Sequence, residues 1–168
     1  MSSILGKLGS YQILTNILPG AFFVWMLRFL FDLAIPTENV VEDILTYYFV
    51  GLVLNRISSL VVQPILSHIR LIKYGSYSDF LLAEKVDPKI EILSETNNSF
   101  RSLLTCAIML PVAFGLATLH SSWAWFSMHW KWFAILFLIA LFFFAYRKQT
   151  KYICERIKKI ANKEREQS

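Results

Sequence analysis

Four strongly polar residues stand in or beside long apolar runs of this chain: Arg28 and Asp32 in the first run, Asn55 and Arg56 in the second. A charge surrounded by hydrocarbon faces a helix bundle or water, pairs with another polar group, and marks an ion path or a structural contact. Arg28 and Asp32 are four residues apart, which puts them on one helix face and lets them pair. The alternative is that Arg28 lines an aqueous path. Arg56 reads in two ways. It faces the bundle as a functional charge, or its methylene stem carries the guanidinium to the headgroups. Asn55, Ser58 and Ser59 offer interhelical hydrogen bonds. Pro19 and Gly20 interrupt the first run, because proline removes a backbone donor and disfavours helix at the residue before it. The outcome is either a short helix that turns at Pro19 or one helix kinked there, and the pair reads as a static bend or a gating hinge.

Other reaction chemistry is missing from the sequence. There is no nucleotide-binding glycine loop, zinc-ligand spacing, Gly-x-Ser-x-Gly elbow or pair of intramembrane carboxylates. His68, His120 and His129 show no metal spacing, and Cys106 and Cys154 fall on different levels, too far apart for a disulfide. We expect neither an enzyme nor a cofactor.

The elements that must position the polar residues are four apolar stretches, at about 11–31, 44–66, 102–120 and 130–146. Hydrophobic residues form 55% of the 168, and the mean hydropathy is +0.47. A water-soluble domain of this size would leave much of that surface exposed, and a bilayer removes the conflict. The expectation is an all-α, polytopic membrane protein: a single membrane domain over 1–168 with four transmembrane helices, a short helical insert at 67–101 and a basic helical tail at 147–168. No small-residue cleavage pattern follows the first run, so that run is expected to stay as an anchor.

Charge sets the expected orientation. The segment 32–43 holds Asp32, Glu38, Glu42 and Asp43 without Lys or Arg, whereas the insert and the tail carry most of the bases. The positive-inside rule then puts both termini and the insert in the cytoplasm. The net charge of +5 is read as this flanking bias, and direct nucleic-acid binding is not expected. Trp123, Trp125, Trp130 and Trp132 mark the opposite interface, in a loop at 120–131.

Within the insert, Gly75 signals a turn, Ser78 or Asp79 a cap, and Asp87-Pro88 the start of a helix that runs unbroken into the third span. Its face of Ile90, Leu93, Asn97, Phe100 and Leu104 continues into that span. This extension presents Glu91, Glu95, Asn97 and Asn98 as candidate partner contacts. Lys158 and Lys159 do the same in the tail, where Ile153, Ile157 and Ile160 recur on one side to meet anionic lipid or a partner. Pro64 is expected to bend or end the second span. Ala113, Gly115 and Ala117 suggest close helix approach in the third, and the Phe-rich fourth is expected to face lipid.

The runs Leu18-Pro19-Gly20, Asn55-Arg56-Ile57-Ser58-Ser59, Tyr77-Ser78-Asp79-Phe80, Asp87-Pro88-Lys89 and Leu93 to Asn98 together resemble small bacterial membrane proteins of the kind that serve as transmembrane effectors in retron-associated antiphage systems. The resemblance spans about 11–104. It implies an inner-membrane protein held inactive by a cytoplasmic protein or ribonucleoprotein and released to damage the membrane on infection. Two functions are thus expected. One is an oligomeric, membrane-perturbing effector that uses Arg28, Asp32, Asn55, Arg56 and the Pro19-Gly20 hinge. The other is a membrane anchor or scaffold that recruits a cytoplasmic complex through the insert and tail.

Overall fold

The structure, a computed structural model, describes residues 2–35, 39–73, 75–87 and 89–167, with side chains left out at 2–14, 77, 78, 81, 84, 85 and 159–167. Among the described residues every element is helical: α1 (Ser2–Phe31), α2 (Val40–Ile57), a π turn (Ser58–Val62), α3 (Gln63–His68), α4 (Tyr77–Val86), α5 (Lys89–Ser122) and α6 (Ala124–Gln167). Three rods are long and apolar enough to cross a membrane: Val40–His68, Lys89–Ser122 and Ala124–Lys158. In α1 the described side chains begin at Thr15, and Thr15–Phe31 is apolar over that stretch, so among the described residues three such rods are seen where four spans were expected.

Local chemistry explains most boundaries. Asn39 caps α2 by accepting from the Glu42 amide at 3.0 Å, and its own amide group donates to the Glu42 carboxylate at 3.2 Å. Ser76 caps α4, accepting from the Asp79 amide at 3.1 Å, so the cap lies upstream of the expected Ser78 or Asp79. Asp87 caps α5 through the Lys89 amide at 3.0 Å, as expected, while Pro88 lies outside the described residues. From there α5 is unbroken for 34 residues, about 51 Å at ~1.5 Å per residue, which exceeds a hydrocarbon layer of ~30 Å. The segment 120–131 is helical except at Trp123, rather than a loop. Its rings stack on one another, Trp125 on His129 at 4.9 Å and beside Phe133 at 5.8 Å.

Two helix ends use a left-handed residue that is not glycine. Asp32 has φ 55 and its amide donates to the Arg28 carbonyl at 3.1 Å, ending α1. That turn takes Asp32 off the helix, and no ion pair joins it to Arg28; the expected pairing fails because the helix stops one residue too soon. Arg70, with φ 60, closes α3. Its amide donates to Ser67 at 3.1 Å, and the Leu71 amide donates to Leu66 at 3.0 Å, the two bonds of a Schellman cap.

Helices α1, α2 and α5 enclose a narrow core of Phe23, Leu27, Leu54, Cys106 and Leu110. Helix α6 packs on its edge through Leu141 and Ala145, and its Phe137, Phe143 and Phe144 are exposed, as expected of a span facing lipid. Leu93, Phe100 and Leu104 on α5 are exposed.

Candidate functional site

The polar and hinge candidates of the first two apolar runs fall in three places. Arg28 and Asp32 are exposed at the end of α1, away from the others. Pro19, Gly20 and Asn55 lie where α1 crosses α2 and α5. Here the backbones of α1 and α2 approach so closely that a Cβ on Gly20 would collide with the Tyr47 carbonyl, and one on Gly51 with the Asn16 carbonyl. Beside this crossing the Asn55 Nδ2 donates to Asn16 Oδ1 at 3.3 Å. The Cys106 thiol of α5 points at the Pro19 carbonyl, 3.5 Å away. Helix α1 runs from Ser2 to Phe31 with Pro19 inside it, which is the single-helix alternative rather than a short helix that ends at Pro19. Swinging at Pro19-Gly20 would break both the glycine contact and the asparagine bond. The close approach expected at Gly115 is absent, since nothing lies within 4 Å of its would-be Cβ.

The third place contains Arg56, and it is built by Pro64. Proline at 64 cannot donate to the Leu60 carbonyl, and its ring would clash with that group in an α-helix. The chain answers by widening the helix over Ser58–Val62, so that the Gln63 amide donates to Ser58, five residues back. In this pattern the donor for the Ser59 carbonyl would be Pro64, which has none. Lys148 of α6 fills the gap: its ammonium donates to the Ser59 carbonyl at 2.6 Å, to Ser59 Oγ at 2.8 Å and to Gln63 Oε1 at 3.5 Å. The rod ends at His68, one turn after Pro64, and Pro64 creates a socket in it.

Arg101 of α5 enters the same turn from the other side. Its Nε donates to Ser58 Oγ at 2.9 Å and one terminal nitrogen to Gln63 Oε1 at 3.0 Å. Both cations therefore share the Gln63 oxygen, and none of their acceptors is a carboxylate. Arg56 lies close enough to act on Lys148, as Arg101 does, with charge of the same sign. It lines a cavity of about 30 Å³ with Ser59, Lys148, Gln149 and Tyr152. Like charges held together without an anion repel and favour an anionic ligand.

No protein-family model, curated protein or solved structure matches the chain. The chemistry of this site has to be read from its own atoms. Ser59 beside Lys148 has the composition of a nucleophile and its base, but the Lys148 donors are directed at three oxygens. That is the geometry of a charged clamp rather than of an amine ready to take a proton. What the arrangement does is hold α2, α5 and α6 together and concentrate positive charge.

Sequence reasoning found Arg56, Asn55, Ser58 and Ser59 but missed Arg101, Gln63 and Lys148. A signal existed in Pro64, which orphans a carbonyl one turn upstream and calls for a donor. Of the candidate partner contacts, Glu91, Asn97 and Lys158 are exposed, Glu95 and Asn98 are half-buried, and the Lys159 side chain is outside those described.

Proposed function

We propose that the chain is a four-span anchor of the bacterial inner membrane, with α1 as the fourth span and both termini and the insert in the cytoplasm, and that it recruits a soluble partner through the insert and tail. The observation that carries this reading is the level of the Arg101–Gln63–Lys148 contact. Arg101 precedes the apolar run of α5 and Lys148 follows that of α6, so their meeting on the α2 rod supports an inner headgroup boundary at this level. Beyond that boundary α5 and α6 continue as rods with Ile92, Leu93, Phe100, Ile153 and Ile157 exposed. Apolar surface on a solvated rod is what a partner covers. Lys158 and the Glu91–Asn98 strip give that surface its polar rim.

A photo-crosslinker placed at Leu93 or Ile153 should capture one soluble protein in the native cell. Ile153→Asp with Ile157→Asp should move that protein to the soluble fraction while the anchor stays in the membrane. If no soluble protein changes fraction, the anchor reading fails.

A second reading is the membrane-perturbing effector. It is favoured by the largely uncovered apolar face of α6, a surface on which copies of the chain would assemble, with Arg56 beside it. Induced expression without any partner gene should then depolarise cells, and Arg56→Ala should relieve it. Cells that keep their potential under induction rule this reading out.

A further inference from the structure

One stripe of α6 changes character along its length. Phe137, Ala140, Leu141 and Phe144 face Leu60 and Val61 of the α2 rod across a groove of about 310 Å³ lined by apolar residues. The same stripe continues through Ala145, Lys148, Gln149 and Tyr152, whose spacing keeps them on the face of Phe137 and Leu141. These residues line the smaller cavity with Arg56 and Ser59, and Leu60 belongs to both walls. An open apolar groove thus leads directly into a cationic pocket, and the change occurs where the apolar run of α6 ends.

That order, hydrocarbon first and positive charge at the boundary, is complementary to an amphiphile with an acyl chain and an anionic headgroup. Among the described residues no Asp or Glu lines either part. Among the described residues Arg56 has no hydrogen-bond acceptor, and it lines the cavity, so its guanidinium fork is available for a phosphate. Lys148 is spent on Ser59, yet its charge remains beside the pocket. A zwitterionic headgroup would bring its own cation against Arg56 and Lys148, which disfavours it.

We propose that the α2–α6 groove binds one anionic phospholipid, with an acyl chain between Leu60 and Phe144 and the phosphate on Arg56, beside the charge of Lys148. The proposal rests on the bilayer placement given above. It assigns Arg56 a ligand, in place of either an aqueous path or simple snorkelling.

The test is native mass spectrometry of the full chain released from nanodiscs of mixed phosphatidylglycerol and phosphatidylcholine. One phosphatidylglycerol should remain bound in preference to phosphatidylcholine, and inorganic phosphate alone should not displace it. Arg56→Gln should weaken retention about fivefold, the share of one basic residue at a membrane surface. Ala140→Trp, which fills the groove at an exposed position and leaves every charge intact, should weaken it as well. Equal retention of the two lipids, displacement by phosphate alone, or indifference to both substitutions overturns the site. A chain that alkaline carbonate washes from membranes overturns the bilayer placement instead, and so separates the two failures.

Discussion

The α2 rod is gripped at two neighbouring places by opposite means. At Gly51 it meets α1 through shape: two glycines bring backbones together, and a neutral Asn16–Asn55 bond lies beside them. About two turns further on, at the π turn, it meets α5 and α6 through charge: Arg101 and Lys148 donate to Ser58, Ser59 and Gln63. The first contact needs the absence of side chains and nothing else. The second needs a defect in the helix, because only an orphaned carbonyl gives an ammonium so strong a reason to stay. Close packing without a polar defect is permanent by construction. A site that concentrates unneutralised charge is one that a ligand can still change.

The sharpest way to break the contrast is to fill the glycine crossing. Gly51→Leu puts a side chain where the Asn16 carbonyl now sits, and neither helix can yield without separating. The expected loss is about 3 kcal/mol or more, the upper range for overpacking. It should be read from reversible unfolding of the purified chain in mixed micelles. Gly115→Leu is the control, since its Cβ meets open space, and it should stay within about 0.5 kcal/mol of the parent. Similar losses at both positions would show that the crossing is not the tight contact.

Much of the scaffold was legible in the sequence, and the reason is that helices and their starts are local. Asp87 predicted where α5 begins, and the unbroken run into the third apolar stretch followed from periodicity. Contacts between helices depend on register, which local chemistry does not carry. Gly51 and Gly115 are both single glycines in apolar runs, and nothing near either one tells which meets a neighbour. Lys148 and Arg101 were read as flanking charges because each lies just outside an apolar run. Their meeting at Ser58 and Ser59 depends on three rods ending at one level. The Arg28–Asp32 pair failed for a local reason that spacing hides: Asp32 adopts φ 55 and ends the helix.

The second contact breaks at Lys148. Lys148→Met keeps most of the stem and removes the donor, leaving the Ser59 carbonyl without a partner. The expected cost is about 1–3 kcal/mol. Pro64→Ala sharpens the point, because an alanine amide lets the rod return to the α pattern and gives the carbonyls their usual donors. In the Pro64→Ala background Lys148→Met should therefore cost at most about half as much, a coupling measurable by a double-mutant cycle. Additive effects would mean that Lys148 holds the hydroxyl of Ser59 and not an orphaned carbonyl.

The smallest expected effect separates shape from polarity within the first contact. Asn55→Leu removes the amide that donates to Asn16 and leaves the glycine crossing intact. Interhelical hydrogen bonds in bilayers average about 0.6 kcal/mol, because the separated helices find other partners. If the crossing is held by backbone proximity, Asn55→Leu should cost about that much and Gly51→Leu several times more. A loss at Asn55 equal to that at Gly51 would reverse the order. The glycines would then only make room for the asparagine bond, and both grips on α2 would be polar ones.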